Sequence, residues 1–471
     1  MAKPKLQIIV LFQNLGDERQ YFAKAPAPPL SGVLLAALTP PVVEVELLHE
    51  MVRPIDYTTD ADFIALSFMD YCAPHAIEVA RRFRRLGKKV VAGGRYASTF
   101  PRALLGHFDS VVVGEAEWIW PRVVADLVAN RLEPLYEAPL APDLSAIPPP
   151  RYDLVEPAYA IAVVTEATRG CPFRCTYCQL TIRPAPFRKR PIPDVIRDLT
   201  ATSALPFHKR KLAMIYDNNF GGDMEHAKRL LREIARLDLW GVGLQFTLGC
   251  LDDPEFVDLL VDAKCAMAFL GLESLNEASL EAVQKRHNKV RKYQEQFGML
   301  KERGILTFAG FMVALDEDTP AYYREVPAQL ETVDPSAILT SIAIPIPGTP
   351  LHGQVAAAGR IVDSDLRHYE GDHLVFRPRT VSAGDVFDAY QRIPAAFYAW
   401  GAVARRWWRL MRAYWTGPLG RHKVLRSALL TGILLQLSRF QRVHGRRKVA
   451  PVMAEEREKW RRIAATDVAA A

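Results

Sequence analysis

Cysteine is scarce in this chain, with six in 471 residues, and three of those six, Cys171, Cys175 and Cys178, fall within eight positions. That distribution excludes a disulfide framework and points to a reducing compartment, the cytoplasm. A second Cys or His pair at the distance a structural zinc site needs is also missing. The longest apolar run toward the C-terminus, 428–437, is ten residues, about half of the roughly 20 that a membrane span requires. The opening MAKPKLQIIVLFQN holds basic residues and a seven-residue apolar run but no small-residue cleavage site, so it reads as a first strand and not as a signal peptide. No repeat of fixed period is found.

What is present is ordinary globular material, 49% hydrophobic and 24% charged, in a chain too long for a single core. The net charge of +7 is unevenly placed. Residues 386–471 hold 17 Lys/Arg against 5 Asp/Glu, a net +12, which leaves residues 1–385 at −5. The basic character belongs to the tail.

The pattern predicts an α/β chain in three parts. Over residues 1–135, β-rich runs at 6–12, 43–48, 63–69, 89–94 and 110–115 alternate with helical spacing around 30–38, 74–86 and 116–129. This is the signature of a doubly wound, Rossmann-like parallel sheet, here of five strands. A Pro-rich linker occupies 136–158. From 159 to 350 a second series runs at 160–170, 212–220, 242–250, 267–274, 305–315 and 337–349. Six strands with helices between them predict a partial (βα)6 TIM barrel, whose chemistry gathers at the C-terminal strand ends. Residues 351–471 are a helical, basic extension.

Cys171, Cys175 and Cys178 sit in CPFRCTYC, a CxxxCxxC spacing just after a predicted strand and a glycine. Thiolates so spaced can wrap one iron–sulfur cluster. Three ligands leave one iron open, able to bind a small molecule through amino and carboxylate groups and to pass it an electron.

This segment resembles the cluster loop of the radical S-adenosylmethionine (SAM) superfamily, with Tyr177 as the aromatic before the last cysteine. The resemblance extends over about 155–350. YDNNF (216–220) looks like the second-strand acidic segment that meets the methionine amino group, through Asp217 and Asn218; the plain alternative for Asp217, Asn218 and Asn219 is a turn cap. GLES (271–274), with Glu273 and Ser274, looks like the fourth-strand motif near the ribose and carboxylate, the alternative for Glu273 being a pair with a lysine. GFMVALDEDT, starting at Gly310, resembles the fifth-strand segment near the adenine, although Ala314 stands where glycine is common, and PIPGTPL (345–351) resembles the last-strand turn. The resemblance implies a [4Fe-4S] cluster on the three cysteines, SAM as co-substrate, and a 5′-deoxyadenosyl radical.

The doubly wound domain ahead of this barrel is similar to the cobalamin-binding module of class B members. Ser67, Gly93 and Gly94 resemble the positions that bury the corrinoid's nucleotide tail, where glycine lets backbone approach a bulky ligand. VVVGEAE (111–117) also recurs in this class. One departure is clear: the DxHxxG segment that gives cobalt a histidine is replaced by QNLGDERQYF, and no histidine precedes His49. His75, after Cys72, reads as a contact to corrinoid or substrate or as a helix cap or core residue, with the structural role favoured. Arg95 and Tyr96 read equally as cleft residues or a surface turn, and Cys250 reads as a buried structural thiol before a group carrier.

The implied function is a cobalamin-dependent methyltransferase acting on an unactivated centre of a small molecule, possessing a hydrophobic or polycyclic character. The alternatives are a radical cyclase, oxidoreductase or rearranging enzyme, and an iron–sulfur electron carrier. A reductase, flavodoxin or ferredoxin would supply electrons, and no nucleic-acid partner is expected. In the tail, Phe397, Ala404, Trp407, Trp408, Met411 and Trp415 fall near helical spacing, as in a cap over the barrel; the Arg–Trp interleaving also suits peripheral contact with an anionic membrane.

Overall fold

The computed structural model describes residues 3–12, 25–204, 212–416, scattered positions between 427 and 442, and 449–470. The first elements are β1 (Lys5–Val10), α1 (Leu30–Leu38), β2 (Glu44–His49), β3 (Phe63–Phe68), α2 (Ala73–Arg85), β4 (Lys89–Gly94), α3 (Arg95–Thr99), β5 (Ser110–Val113), α4 (Trp120–Val128) and β6 (Leu135–Glu137). They form a parallel sheet of order β2-β1-β3-β4-β5-β6. The middle residues of β1, β3 and β4 and all four of β5 are buried, as in a sheet covered on both faces. α2 forms because Ala73, Ala76, Val79, Ala80 and Phe83 repeat at helical spacing and turn one apolar face to the sheet, with arginines outward.

The sheet has six strands, not the five expected. β6 is three residues long and lies at the edge, at the start of the Pro-rich stretch. Proline is tolerated at an edge, and three residues show no period, so the sequence pattern could not reveal it.

The chain continues through β7 (Val163–Thr165), β8 (Thr168–Arg169), β9 (Arg188–Lys189), α5 (Ile192–Thr200), β10 (Leu212–Ile215), α6 (Met224–Ala235), β11 (Gly241–Gln245), α7 (Pro254–Asp262) and β12 (Cys265–Glu273). Then come α8 (Glu277–Ala282), α9 (Tyr293–Glu302), β13 (Leu306–Val313), α10 (Pro320–Val333), β14 (Ala337–Ile342), α11 (Pro350–Ala357), α12 (Ala383–Phe397), α13 (Trp400–Thr416) and α14 (Ala450–Ala470). Among the described residues β7, β10, β11, β12, β13 and β14 alternate with helices, as the sequence predicts. β8 and β9 form an antiparallel pair that it does not.

Two compact units emerge: Met1–Cys171 with Ile182–Asn218 and Arg236–Val242, and Pro172–Thr181 with Asn219–Ala235 and Gly243–Ala471. The first holds the six-stranded sheet, the parallel pair β7–β10 and the β8–β9 hairpin. In the second the strand order is β14-β13-β12-β11, with β12–β13 and β13–β14 parallel.

In the tail, α12 starts at a capping box between Ser382 and Asp385 and is pinned at its far end by Tyr398, whose hydroxyl donates to the Ile338 carbonyl at 2.7 Å. On α13 the buried face is Ala402, Val403, Arg406, Leu410 and Met411. Ala404, Trp408 and Trp415, expected inward, face outward. The guanidinium of Arg406 lies over the Phe397 ring and takes the inward position that an apolar reading gave to tryptophan. The second helical stretch expected there, 422–448, falls mostly outside the described residues. Among the described residues no helix is long and apolar enough to cross a membrane.

Candidate active site

In the first unit a cavity of about 320 Å³ opens at the C-terminal ends of the strands. The strand order reverses between β1 and β3, the switch point where doubly wound sheets take their ligands. Ser67 ends β3 and lines the cavity, as do Gly93 and Gly94 at the end of β4. Leu34, Leu38 and Trp120 form an apolar side. Gly94 has φ +97°, and a β-carbon there would come within 2.6 Å of the Phe68 carbonyl oxygen, so this turn excludes any side chain. At Gly93 the nearest atom to such a carbon is the Leu66 carbonyl oxygen at 4.0 Å, which leaves the cavity side bare. A glycine floor between small and apolar walls fits a bulky, flat group, and the volume sits at the low end of the ~300–1,000 Å³ common for ligand pockets.

The opposite wall is charged. Glu115 and Glu117 follow β5, Glu166 and Arg169 follow β7, and all four line the cavity. Arg169 donates to Glu117 at 2.8 Å and also binds Glu115 and Glu166. Arg188 donates to Glu115 at 2.9 and 2.5 Å. Burial pushes the Glu115 carboxyl up, but the two guanidiniums outweigh it and hold the group below its ordinary value.

Asp217 and Asn218 follow β10 and hold the backbone that leads into the cysteines. Asp217 accepts from the amides of Ala167 at 2.7 Å and Thr168 at 2.9 Å and from the Thr168 hydroxyl at 2.8 Å. Its carboxyl is 2% exposed, and burial pushes it up to about 7 against the pull of those donors. Asn218 accepts from the Gly170 amide at 3.2 Å. Both oxygens of Asp217 are thus occupied by the loop, where the resemblance implied a ligand amino group.

The second unit assembles the cysteine loop against the end of β12. All six cysteines are thiols, outside any disulfide. Cys178 donates its amide to the Cys175 carbonyl at 3.0 Å, and the Thr176 amide donates to Val283 at 3.0 Å. Burial pushes the Cys175 thiol up. Tyr177 receives a hydrogen bond from Lys285 Nζ at 3.3 Å, and Lys285 pairs with Glu273 at 2.8 Å. Desolvation pulls Lys285 down, and the Glu273 carboxylate more than restores it. Glu273 has φ +63° at a register shift between β12 and β13. Gly271 clears space for its carboxylate, since a β-carbon there would lie 2.5 Å from Lys285 Nζ; one at Gly310 would rest 3.5 Å from Glu273 Oε2, an ordinary contact. Glu273, Gly310 and Tyr177 are therefore brought together, and Glu273 also makes the lysine pair that was its alternative. Ser274 is turned away: fully buried, it bonds the Tyr322 hydroxyl at 2.9 Å and caps the Asn276 amide at 3.0 Å.

Sequence reasoning missed Lys285 and His287. The His287 ring stacks on Phe173 of the cysteine loop at 3.7 Å between centroids, and burial with the nearby Lys285 cation takes its pKa down to about 4. No local motif marks either. The remaining candidates take structural places. His75 pairs with buried Glu50 at 2.7 Å. Tyr96 packs among Phe68 and Phe100; it and Arg95 open α3 and neither lines the cavity. Cys250 is buried beside Thr247 Oγ1 at 3.5 Å. Ala314 has φ +71°, which explains why glycine suits that position. Among the described residues no three His, Cys, Asp or Glu side chains converge as around a metal ion.

Residues 165–326 match the model of the radical SAM superfamily. Bacteriochlorophyllide d C-8(2)-methyltransferase of Chlorobaculum tepidum is 28% identical over 364 residues, 73% of this chain and 79% of that protein. The methyltransferase TsrM of Kitasatospora setae, solved with cobalamin and a [4Fe-4S] cluster, superposes with a TM-score of 0.60 at 17% identity, covering 98% of this chain and all of that one (100%). OxsB, a cobalamin-dependent SAM radical enzyme solved with aqua-cobalamin and SAM, gives 0.61 at 14% identity, covering 98% of this chain and 80% of that one. At those identities the two solved structures speak to the fold. Together with the cysteine loop and the Glu273 strand end, the match identifies residues 165–326 as a radical SAM domain and the chain as an enzyme.

Proposed function

We propose that the chain is a cobalamin-dependent radical SAM methyltransferase acting, in the cytoplasm, on an unactivated centre of an apolar or polycyclic small molecule. One observation carries the cobalamin part: the glycine-floored cavity at the switch point of the first sheet, in the same chain as a cysteine loop. Cys171, Cys175 and Cys178 would hold the cluster, and Ser67, Gly93 and Gly94 would bury the corrinoid's nucleotide tail. When bound, the cluster supplies the electron that cleaves SAM, and the corrinoid supplies a carrier for the methyl group.

The chain's own residues position and exclude. Lys285 fixes the Glu273 carboxylate beside Tyr177 and the loop, where it can meet the polar groups of an amino-acid cofactor. Gly271 keeps that approach open. Leu34, Leu38 and Trp120 give the cavity an apolar side. No histidine precedes His49, so residues 1–48 would offer no imidazole to a bound corrinoid. The similarity to a methyltransferase named for a bacteriochlorophyllide supports a polycyclic substrate. A flavodoxin- or ferredoxin-type reductant would supply electrons. Exposed Trp400 and Trp408 beside exposed Arg405 on α13 support peripheral contact with an anionic membrane.

The test is anaerobic reconstitution with iron, sulfide, SAM and methylcobalamin. S-adenosylhomocysteine together with 5′-deoxyadenosine is expected. Absence of corrinoid uptake overturns the cobalamin reading, and 5′-deoxyadenosine alone would favour a cyclising or oxidising enzyme. An EPR signal of the reduced cluster that SAM leaves unmoved would indicate an electron carrier.

A further inference from the structure

The three cysteines lie within residues 170–187, a stretch whose two ends are the strands β8 and β9. The neck of that loop is thin. It is a two-residue antiparallel ladder, Thr168 opposite Lys189 and Arg169 opposite Arg188. Two guanidiniums therefore face each other across the neck, an arrangement that repels and opens a short ladder unless a counter-charge lies between. The structure has that counter-charge. Glu115 accepts from Arg188 through both carboxylate oxygens, at 2.5 and 2.9 Å, and from Arg169 through one. Its side chain is 26% exposed, with Arg169 at 18% and Arg188 at 13%, so the bonds are shielded enough from water to matter.

Glu115 comes from the turn after β5 and lines the cavity. Gly170, at φ +98°, then makes the turn into Cys171, and a β-carbon there would lie 3.2 Å from the Pro186 carbonyl oxygen on the returning limb. The neck is tightly packed at its glycine and held electrostatically at its arginines. Glu117 and Glu166 also bind Arg169, but neither reaches Arg188 among the bonds described. Glu115 alone of the three bridges both strands.

We propose that Glu115 is a positioning residue that closes the neck of the cysteine loop by bridging Arg169 and Arg188, so that the wall of the cavity and the loop bearing Cys171 are held as one piece. This rests on the cluster reading only for what the loop carries; the closure itself is a property of the polypeptide.

The experiment compares the full chain with Glu115→Gln, which keeps the shape and removes the charge, and with Glu115→Gln/Arg188→Met, which also removes one of the facing cations. Limited trypsin cleavage after Arg169, a site that all three proteins keep, reads opening of the neck in the metal-free protein. Cleavage roughly tenfold faster is expected in Glu115→Gln, with return toward the wild-type rate in the double variant, because the repulsion is then gone. After reconstitution, the shift of the cluster's EPR signal on adding SAM should be lost in Glu115→Gln and regained in the double variant. Wild-type cleavage in Glu115→Gln overturns the proposal. So does a double variant cleaved as fast as the single one, which would make Glu115 a general stabiliser of the fold. If no cluster assembles in the wild type, the cluster reading fails while the cleavage rates still decide the closure.

Discussion

Replacing Lys285 by methionine removes a charge while keeping most of the volume, and the structure sets the cost. Lys285 is 7% exposed, and its ammonium sits 2.8 Å from Glu273 and 3.3 Å from the Tyr177 hydroxyl. Breaking a buried ion pair by deleting one partner costs about 3–5 kcal/mol, since the other charge is left stranded. Glu273 keeps 15% of its side chain in contact with solvent, which places the expected loss near the lower end, about 3 kcal/mol. For a unit of this size that corresponds to a melting decrease of roughly 6–12 °C. Differential scanning calorimetry of the metal-free chain measures it. The partner variant Glu273→Gln should be destabilised as well, and Lys285→Met/Glu273→Gln should recover about 2 kcal/mol relative to the sum of the singles, because no stranded charge remains. The double variant should still fail to show a SAM-induced change in the reduced cluster's EPR signal. A Lys285→Met protein that melts within 2 °C of wild type, or singles that simply add, would refute the reasoning that this pair is desolvated and coupled.

Gly94→Ala puts a β-carbon 2.6 Å from the Phe68 carbonyl oxygen at φ +97°; a loss of about 2–5 kcal/mol is expected, read as a lowered urea midpoint. Asp217 is held neutral more readily when folded, with its pKa raised to about 7 from 3.8, so its contribution is full below pH 4 and is lost as pH rises through 7, at up to about 1.4 kcal/mol per pH unit. Urea midpoints at pH 5 and pH 8 should fall in the wild type and fall less in Asp217→Asn. At Gly221 a β-carbon would collide with Cys250 Sγ; Gly221→Ala should destabilise by about 1–3 kcal/mol and Cys250→Ala should rescue it, as measured by thermal melting. Trp408→Ala should weaken sedimentation with phosphatidylglycerol vesicles severalfold and leave the melting temperature unchanged, since this residue is exposed.

The sequence made the scaffold legible where local pattern and burial agree. Strands buried on both faces read as unbroken apolar runs, and CxxxCxxC is informative because its spacing alone carries the chemistry. The glycines told more than their count suggests: Gly94 and Gly271 each mark a place where a side chain would collide with its neighbours. Other features were illegible for reasons of length. β6, at three residues, and the β8–β9 ladder, at two, are shorter than any period that could announce them. On α13 the hydropathy pattern gave the inward face to tryptophans, but Arg406 took it by stacking on Phe397, a choice fixed by a neighbouring helix end and invisible within the helix itself.

The polar partners were illegible for a different reason. Glu273 and Lys285 are separated by the whole of α8, and Glu115 lies 54 residues before Arg169 and 73 before Arg188. Charges at such separations leave no periodic trace, so the sequence could name Glu273 and still leave its partner open. The consequence is asymmetric. Cysteines and glycines act through what the backbone near them must do, and a motif captures that; carboxylates and arginines act through what folding brings to them. In this chain the second class surrounds the first: Asp217 and Asn218 hold the strand before Cys171, Glu115 joins the two arginines at the ends of the loop, and Lys285 meets Tyr177 within it. A variant at any of these carboxylates or cations should therefore disturb the loop more than its distance in sequence from the cysteines would suggest.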